Sequence, residues 1–447
     1  MVVVGFVQPR YKSVWEALAL GYHASYLRQA IPNDLQFRFW QGFFDDRSAM
    51  VEGASGLDFL AISATSPVYP EACRIAVECK EANPALRTIV GGYHPTSLPQ
   101  RCLADGVFDY VVMGEGEEAL RQIIQGTAPP GVVNGQNVSP LDLIPPPDRK
   151  MIRNERTIEL TMKNDGERIT SMLTQRGCPY DCNFCCDGSG RPQVGPDGVR
   201  IGHVMWGNKL RYHGIPRVLD EMQSTIKDWR LDVLKLSDMT TNSDKERLKA
   251  ICRAIIETGG LGHCQLGSNI HVRNTDAELF QLMAKAGWRE VWCGVEAATD
   301  RVLAQTGKRI TVKMVEDAFQ WAHEAGLKTR AYFQIGHWNE TKEDIKAIVS
   351  LVRRIRPDIF GCTVTCPYPG TETWLRLSPE ARERFLEPDF LEQMDEYDNP
   401  LWETPAFSNA QLSEIQKWLH SQVPPETVLS WRARGLEGRQ KDLAYME

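Results

Sequence analysis

The chain has 447 residues, 42% of them apolar and 24% charged, an ordinary balance for a water-soluble chain long enough for two domains. A net charge of −7, with no long run of Lys or Arg, argues against nucleic acid as the main partner. The same acidity leaves room for a neutral or cationic small-molecule substrate.

The start, Met1–Val7, is apolar but far too short to span a bilayer, and it lacks a basic flank and a small-residue cleavage site. The chain therefore reads as cytoplasmic, with no membrane partner. Its twelve cysteines read as thiols and metal ligands rather than as a disulfide framework.

Strands are expected at Val2–Phe6, Phe59–Ser63, Arg87–Val90 and Tyr110–Met113, with helices at Trp15–Arg28 and Glu71–Asn83 between them. Short strands alternating with helices make an α/β, doubly wound parallel sheet. Ligands of such sheets sit at the carboxyl ends of the strands. Ser63, Gly91, Gly92 and Gly114 stand at those ends and are the candidate cofactor contacts there. This domain is taken as residues 1–126. A Pro-rich linker and entry segment follows over 127–168, where Pro129-Pro130, Pro140 and Pro145-Pro146-Pro147 break any regular element.

A strand over Ile169–Leu173 then runs into Arg176-Gly-Cys-Pro-Tyr-Asp-Cys-Asn-Phe-Cys185. Cys178, Cys182 and Cys185 form a C-x3-C-x2-C pattern. Three thiolates on one loop can hold a [4Fe-4S] cluster and leave one iron open to a small molecule. The bland alternatives are three core thiols or a structural zinc site. Zinc wants four closed ligands, and Cys186, adjacent to Cys185, is poorly directed to be the fourth. Beyond the loop, strands are expected at Val233–Leu236, Cys264–Ile270, Glu290–Gly294, Thr329–Ile335 and Asp358–Thr363. Helices are expected at Pro216–Trp229, Asp244–Thr258, Asp276–Ala286, Val312–Ala325 and Lys342–Arg354.

The cysteine spacing, with aromatic Phe184 before the third cysteine, resembles the radical S-adenosylmethionine (SAM) superfamily. The resemblance implies that SAM chelates the open iron and is cleaved reductively to methionine and a 5′-deoxyadenosyl radical. It also implies a partial (β/α)6 barrel, placed at residues 169–374, with a helical C-terminal extension over 375–447. The first 126 residues likewise resemble the cobalamin-binding domain that precedes the barrel in many of these enzymes. No D-x-H-x-x-G segment is present, so an axial histidine is not visible and cobalamin stays open. His94 reads as a loop histidine near the nucleotide tail, or simply as a satisfied polar residue.

Carried over to the ends of the barrel strands, the resemblance makes Asp238 a cavity-facing acid, its capping role falling better to Asp244 or Ser243. Ser268 and Glu296 become SAM contacts, Glu296 within Gly294-Val-Glu-Ala297, where the family often has serine at the position of Ala297. Ile335 and Gly336 become adenine contacts, and Glu340 orders their turn. The segment Cys366–Thr371 is similar to the family's P-x-P-G-T and closes the cavity, with Cys366 an inert pocket thiol in preference to a thiyl donor. Residues 186–204, with Asp187 and Asp197, read as a cap over the cluster. Trp374, Trp402, Trp418 and Trp431 read as core of a lid or interface.

Two reactions fit this layout. The favoured expectation is radical dehydration of an amino sugar in antibiotic biosynthesis, because length and layout resemble a radical SAM dehydratase that deoxygenates paromamine on the way to apramycin. The short C-terminal region, the acidic balance and the missing axial motif point the same way, with Asp238 and Glu296 as acid and base. The alternative is cobalamin-dependent methylation at carbon or phosphorus. Either needs an electron donor, such as flavodoxin or an NAD(P)H-dependent reductase.

Overall fold

The computed structural model describes residues 1–428, except 13, 189–191, 196–197, 207–208 and 395–400. Asp197 and Trp431 lie outside the described residues.

The N-terminal sheet has six parallel strands: β1 (Val2–Gln8), β2 (Leu35–Gln41), β3 (Phe59–Ser63), β4 (Arg87–Gly91), β5 (Tyr110–Met113) and β6 (Gly131–Asn134), in the order β2-β1-β3-β4-β5-β6. Strand alternation sends Phe59 and Ala61 to one face and Leu60 and Ile62 to the other. Helices cover both faces, so both sets are buried and the strands read as continuous apolar runs. Two of the six strands had no expectation. β2 alternates Arg38 and Gln41 with aromatic residues at the sheet edge. β6 is four residues long, falls inside the stretch taken as linker, and owes its extended form to pairing with β5.

The barrel also has six parallel strands, now in sequence order: β7 (Ile169–Met172), β8 (Val233–Leu236), β9 (Gln265–Ile270), β10 (Trp288–Glu296), β11 (Lys328–Ile335) and β12 (Ile359–Val364). β7 and β12 are the free edges, so the barrel is open. Leu234, Leu266, Val291, Phe333 and Ile335 point outward into one core beneath the helices. The alternate residues line the lumen, where Arg330 donates to both oxygens of buried Glu290 at 2.7–2.8 Å.

The C-terminal extension is helical, as expected. Its helix Asn409–Ser421 is closed by a capping box from Ser408 and Gln411 and packs on β12 through Gln416, which donates to the Cys362 carbonyl at 2.9 Å. Trp374 and Trp402 are fully buried. Among the described residues, no helix is long and apolar enough to cross a membrane.

Candidate active site

The cysteine loop leaves the end of β7 and is clamped from three sides. Asn183 donates its backbone N–H to the Thr306 carbonyl at 2.9 Å and its side-chain amide to Gln305 at 2.7 Å. Arg309 pairs with Asp181 at 2.6 Å. Tyr180 stacks on His271 at 3.6 Å between ring centres. Gly307 has φ +74°, and a Cβ there would collide with the Asp181 carbonyl. Only glycine accommodates both demands.

Cys178, Cys182 and Cys185 are all partly buried on this loop. Cys186 turns away and donates its thiol to the Pro369 carbonyl at 3.5 Å. Among the described residues, no three His, Cys, Asp or Glu side chains converge tightly enough for a single metal ion. Three thiols on one loop without a fourth fit a cube that takes one cysteine per iron and leaves one iron open. Burial pushes the Cys182 thiol up to about 12 and also raises the Cys185 thiol well above its ordinary value. These sulfurs therefore carry protons until metal displaces them.

The strand ends place the other expected residues unevenly. Glu296 closes β10 with φ +68°, a strained value for a non-glycine residue, and pairs with buried Lys308 at 2.5 Å. Phe184 reaches across to His337, at 6.2 Å between ring centres. Gly336 donates to Glu340 at 2.6 Å, so Glu340 does order this turn, and burial lifts its carboxyl to about 8. The Gly336 carbonyl accepts from Trp402 Nε1 at 2.7 Å.

Three expected contacts point elsewhere. Asp238 is buried and accepts from Thr174 N, Thr174 Oγ1 and Gln175 N at 2.7–3.1 Å, while its neighbours Ser237 and Met239 line the cavity. Its carboxylate thus anchors the stem of the cysteine loop. Asp244 caps the next helix instead. Ser268 lies on the outward face of β9 and accepts from Trp288 Nε1 at 3.1 Å. The Ile335 side chain is fully buried in the outer core, its carbonyl taken by Thr365 at 2.8 Å. Strand alternation turns Gln334 into the lumen in its place. Cys366 is buried in the apolar core of the first domain.

Between the two sheets lies a cavity of about 530 Å³. Ser63, Gly91, Gly92 and Gly114 line it from the first domain, and Ser171, Lys235 and Ser237 from the barrel. His94 is not part of its lining: it is buried, 3.0 Å from Ser66 Oγ and stacked on Tyr69. Residues without a sequence expectation complete the wall. Arg176, at the stem of the cysteine loop, pairs with Glu115 and Glu117, all three buried. Burial would raise Glu117, but Arg176 and His23 together bring it down to about 2. Glu117 Oε2 and Trp206 Nε1 are buried there without hydrogen-bond partners. A floor with three glycines at the strand ends and orphaned polar atoms on its wall fits a broad, amide-bearing ligand such as a corrinoid.

This architecture is that of a radical SAM enzyme carrying a B12-binding domain in front of its barrel. Residues 172–352 match the model of the Radical SAM superfamily, and residues 10–124 match that of the B12 binding domain. A radical SAM domain takes a [4Fe-4S] cluster and SAM, and the leading domain supports cobalamin as a further cofactor. The chain is 27% identical over 331 residues to an uncharacterized methyltransferase of Pyrococcus horikoshii, covering 71% of this chain and 68% of that one. It is 25% identical to the anaerobic magnesium-protoporphyrin IX monomethyl ester cyclase of Rubrivivax gelatinosus, covering 83% and 69%. The chain thus spans about two thirds of the length of these relatives. Its fold resembles that of the radical SAM methyltransferase TsrM from Kitasatospora setae, solved with tryptophan and a SAM analogue, with a TM-score of 0.74, 16% identity and coverage of 96% and 91%.

Proposed function

We propose that this radical SAM enzyme methylates a small polar molecule, using a corrinoid held by its N-terminal domain. The observation that carries the reading is the cavity, lined on one side by the strand ends of the B12-binding sheet and on the other by the mouth of the barrel. When bound, SAM on the cluster supplies a hydrogen-abstracting radical and the corrinoid supplies the methyl group.

The chain's own residues prepare the site. Cys178, Cys182 and Cys185 would hold the cluster. Glu296, set by Lys308, would orient SAM from the end of β10. Ser171, Lys235 and Ser237 offer two hydroxyls and an ammonium group to a substrate between the sheets. An external flavodoxin or NAD(P)H-dependent reductase would deliver the electron.

Methyl transfer is the alternative from the sequence, and the relatives favour it over dehydration of an amino sugar. Of the three proteins named above, two are methyltransferases, one is a cyclase and none is a dehydratase. Asp238 also supports the change, because its carboxylate is turned onto Thr174 and Gln175 and does not line the cavity.

The test uses protein reconstituted anaerobically, incubated with hydroxocobalamin, desalted, and then given SAM and reductant. Stoichiometric retained corrinoid, with S-adenosylhomocysteine formed beside 5′-deoxyadenosine, is the expected result. No retained corrinoid, with 5′-deoxyadenosine as the only SAM-derived nucleoside, would overturn the reading and restore dehydration.

A further inference from the structure

Arg176 stands two residues before the first cluster cysteine. Its guanidinium donates to Glu115 Oε2 at 2.8 Å and to Glu117 Oε1 at 2.7 Å. Arg211, which pairs with Arg176 across a short antiparallel ladder, donates to the other oxygen of Glu115. The two carboxylates belong to the Gly114–Glu117 turn of the B12-binding sheet, and the two guanidiniums to the stem of the cysteine loop. This buried, charge-balanced cluster is therefore a joint between the domains, at the root of the loop. Buried ion pairs are weak sources of stability, because desolvation offsets their attraction; holding a particular arrangement is their better-attested use.

The same wall is incomplete on its cavity side. His23 Nδ1, Trp206 Nε1 and Glu117 Oε2 are buried without partners. A buried polar atom without a partner is costly, so the wall calls for a ligand that both donates and accepts hydrogen bonds, as a carboxamide does. Glu117 belongs to both sets. One of its oxygens holds Arg176 and the other is left for the cavity, with His23 Nε2 3.9 Å from it, beyond hydrogen-bond reach.

We propose that Glu117 is a positioning residue through which a carboxamide-bearing ligand in the cavity tightens the cysteine loop. A hydrogen bond to Oε2 fixes the carboxylate, the carboxylate fixes Arg176, and Arg176 fixes the stem that carries Cys178. This rests on the corrinoid reading above, with the corrinoid's peripheral amides as the docking groups.

The test is amide hydrogen exchange, read by mass spectrometry, on the full-length, cluster-loaded protein with and without hydroxocobalamin. In the natural protein the corrinoid should slow exchange across residues 177–186 by about fivefold or more. Glu117→Gln, measured at a hydroxocobalamin concentration that saturates the variant, should lose the slowing. Equal slowing in Glu117→Gln, or none in the natural protein, overturns the inference. Failure of the natural protein to retain corrinoid removes the functional reading as well, whereas its retention without slowing removes only this inference. Should Glu117→Gln fail to load its cluster, Glu117→Asp decides, because it keeps the charge balance of the joint while shortening the reach of the carboxylate. A smaller slowing in Glu117→Asp supports the inference, and unchanged slowing overturns it.

Discussion

Single side chains in this site work mainly by holding others. Cys178 is a direct ligand, so Cys178→Ala should abolish formation of 5′-deoxyadenosine from SAM, followed by chromatography. Lys308 acts through Glu296. Lys308→Met leaves the partly buried Glu296 carboxylate without its counter-ion and should lower the urea midpoint while weakening SAM binding. Glu340 offers a test by pH. Burial lifts its carboxyl from 4.5 to about 8, so the folded state keeps a proton that the unfolded chain has already released. The stability it contributes is full below about pH 4.5 and is lost as pH rises through about 8. Glu340→Gln keeps an acceptor for Gly336 and removes the charge. It should flatten the fall in unfolding free energy measured between pH 5 and 9.

Among the elements, the decisive contacts join loops to strand ends. The C-terminal extension seals the end of β11, where Trp402 both hydrogen-bonds Gly336 and fills the core. Truncating a buried tryptophan typically costs about 3–5 kcal/mol. Trp402→Ala should therefore lower the thermal midpoint and weaken SAM binding together, measured by calorimetry and equilibrium dialysis. The loop after β10 works in the same way on the cysteine loop. Gly307→Ala forces both a side chain against Asp181 and an unfavourable φ, and should reduce iron per chain after reconstitution.

For the whole molecule, the two sheets meet at one cavity, and a ligand there binds only the folded chain. Hydroxocobalamin at a hundredfold excess over its dissociation constant should stabilise the protein by about 2.7 kcal/mol, seen as a rise in the thermal midpoint. The order of strands and helices in the barrel, and the cysteine loop, were legible in the sequence. Local features carry them: period and length mark each βα unit, and the three ligands sit on one short loop. Side-chain direction was not legible. In strands buried on both faces, apolar and polar residues do not alternate by face, so Ser268 and Ile335 look like lumen residues until the outer core claims them. Nor could distant pairing be read. Lys308 meets Glu296, Asp238 meets Thr174, and Glu117 meets Arg176 only once the chain has folded, and β6 is a strand only beside β5. The sequence by itself determined the cluster loop and the two α/β halves, because both are set by neighbours along the chain. Tertiary structure alone decided the cavity, its ion-paired joint and the working faces of the strands, because these depend on contacts between residues far apart in sequence.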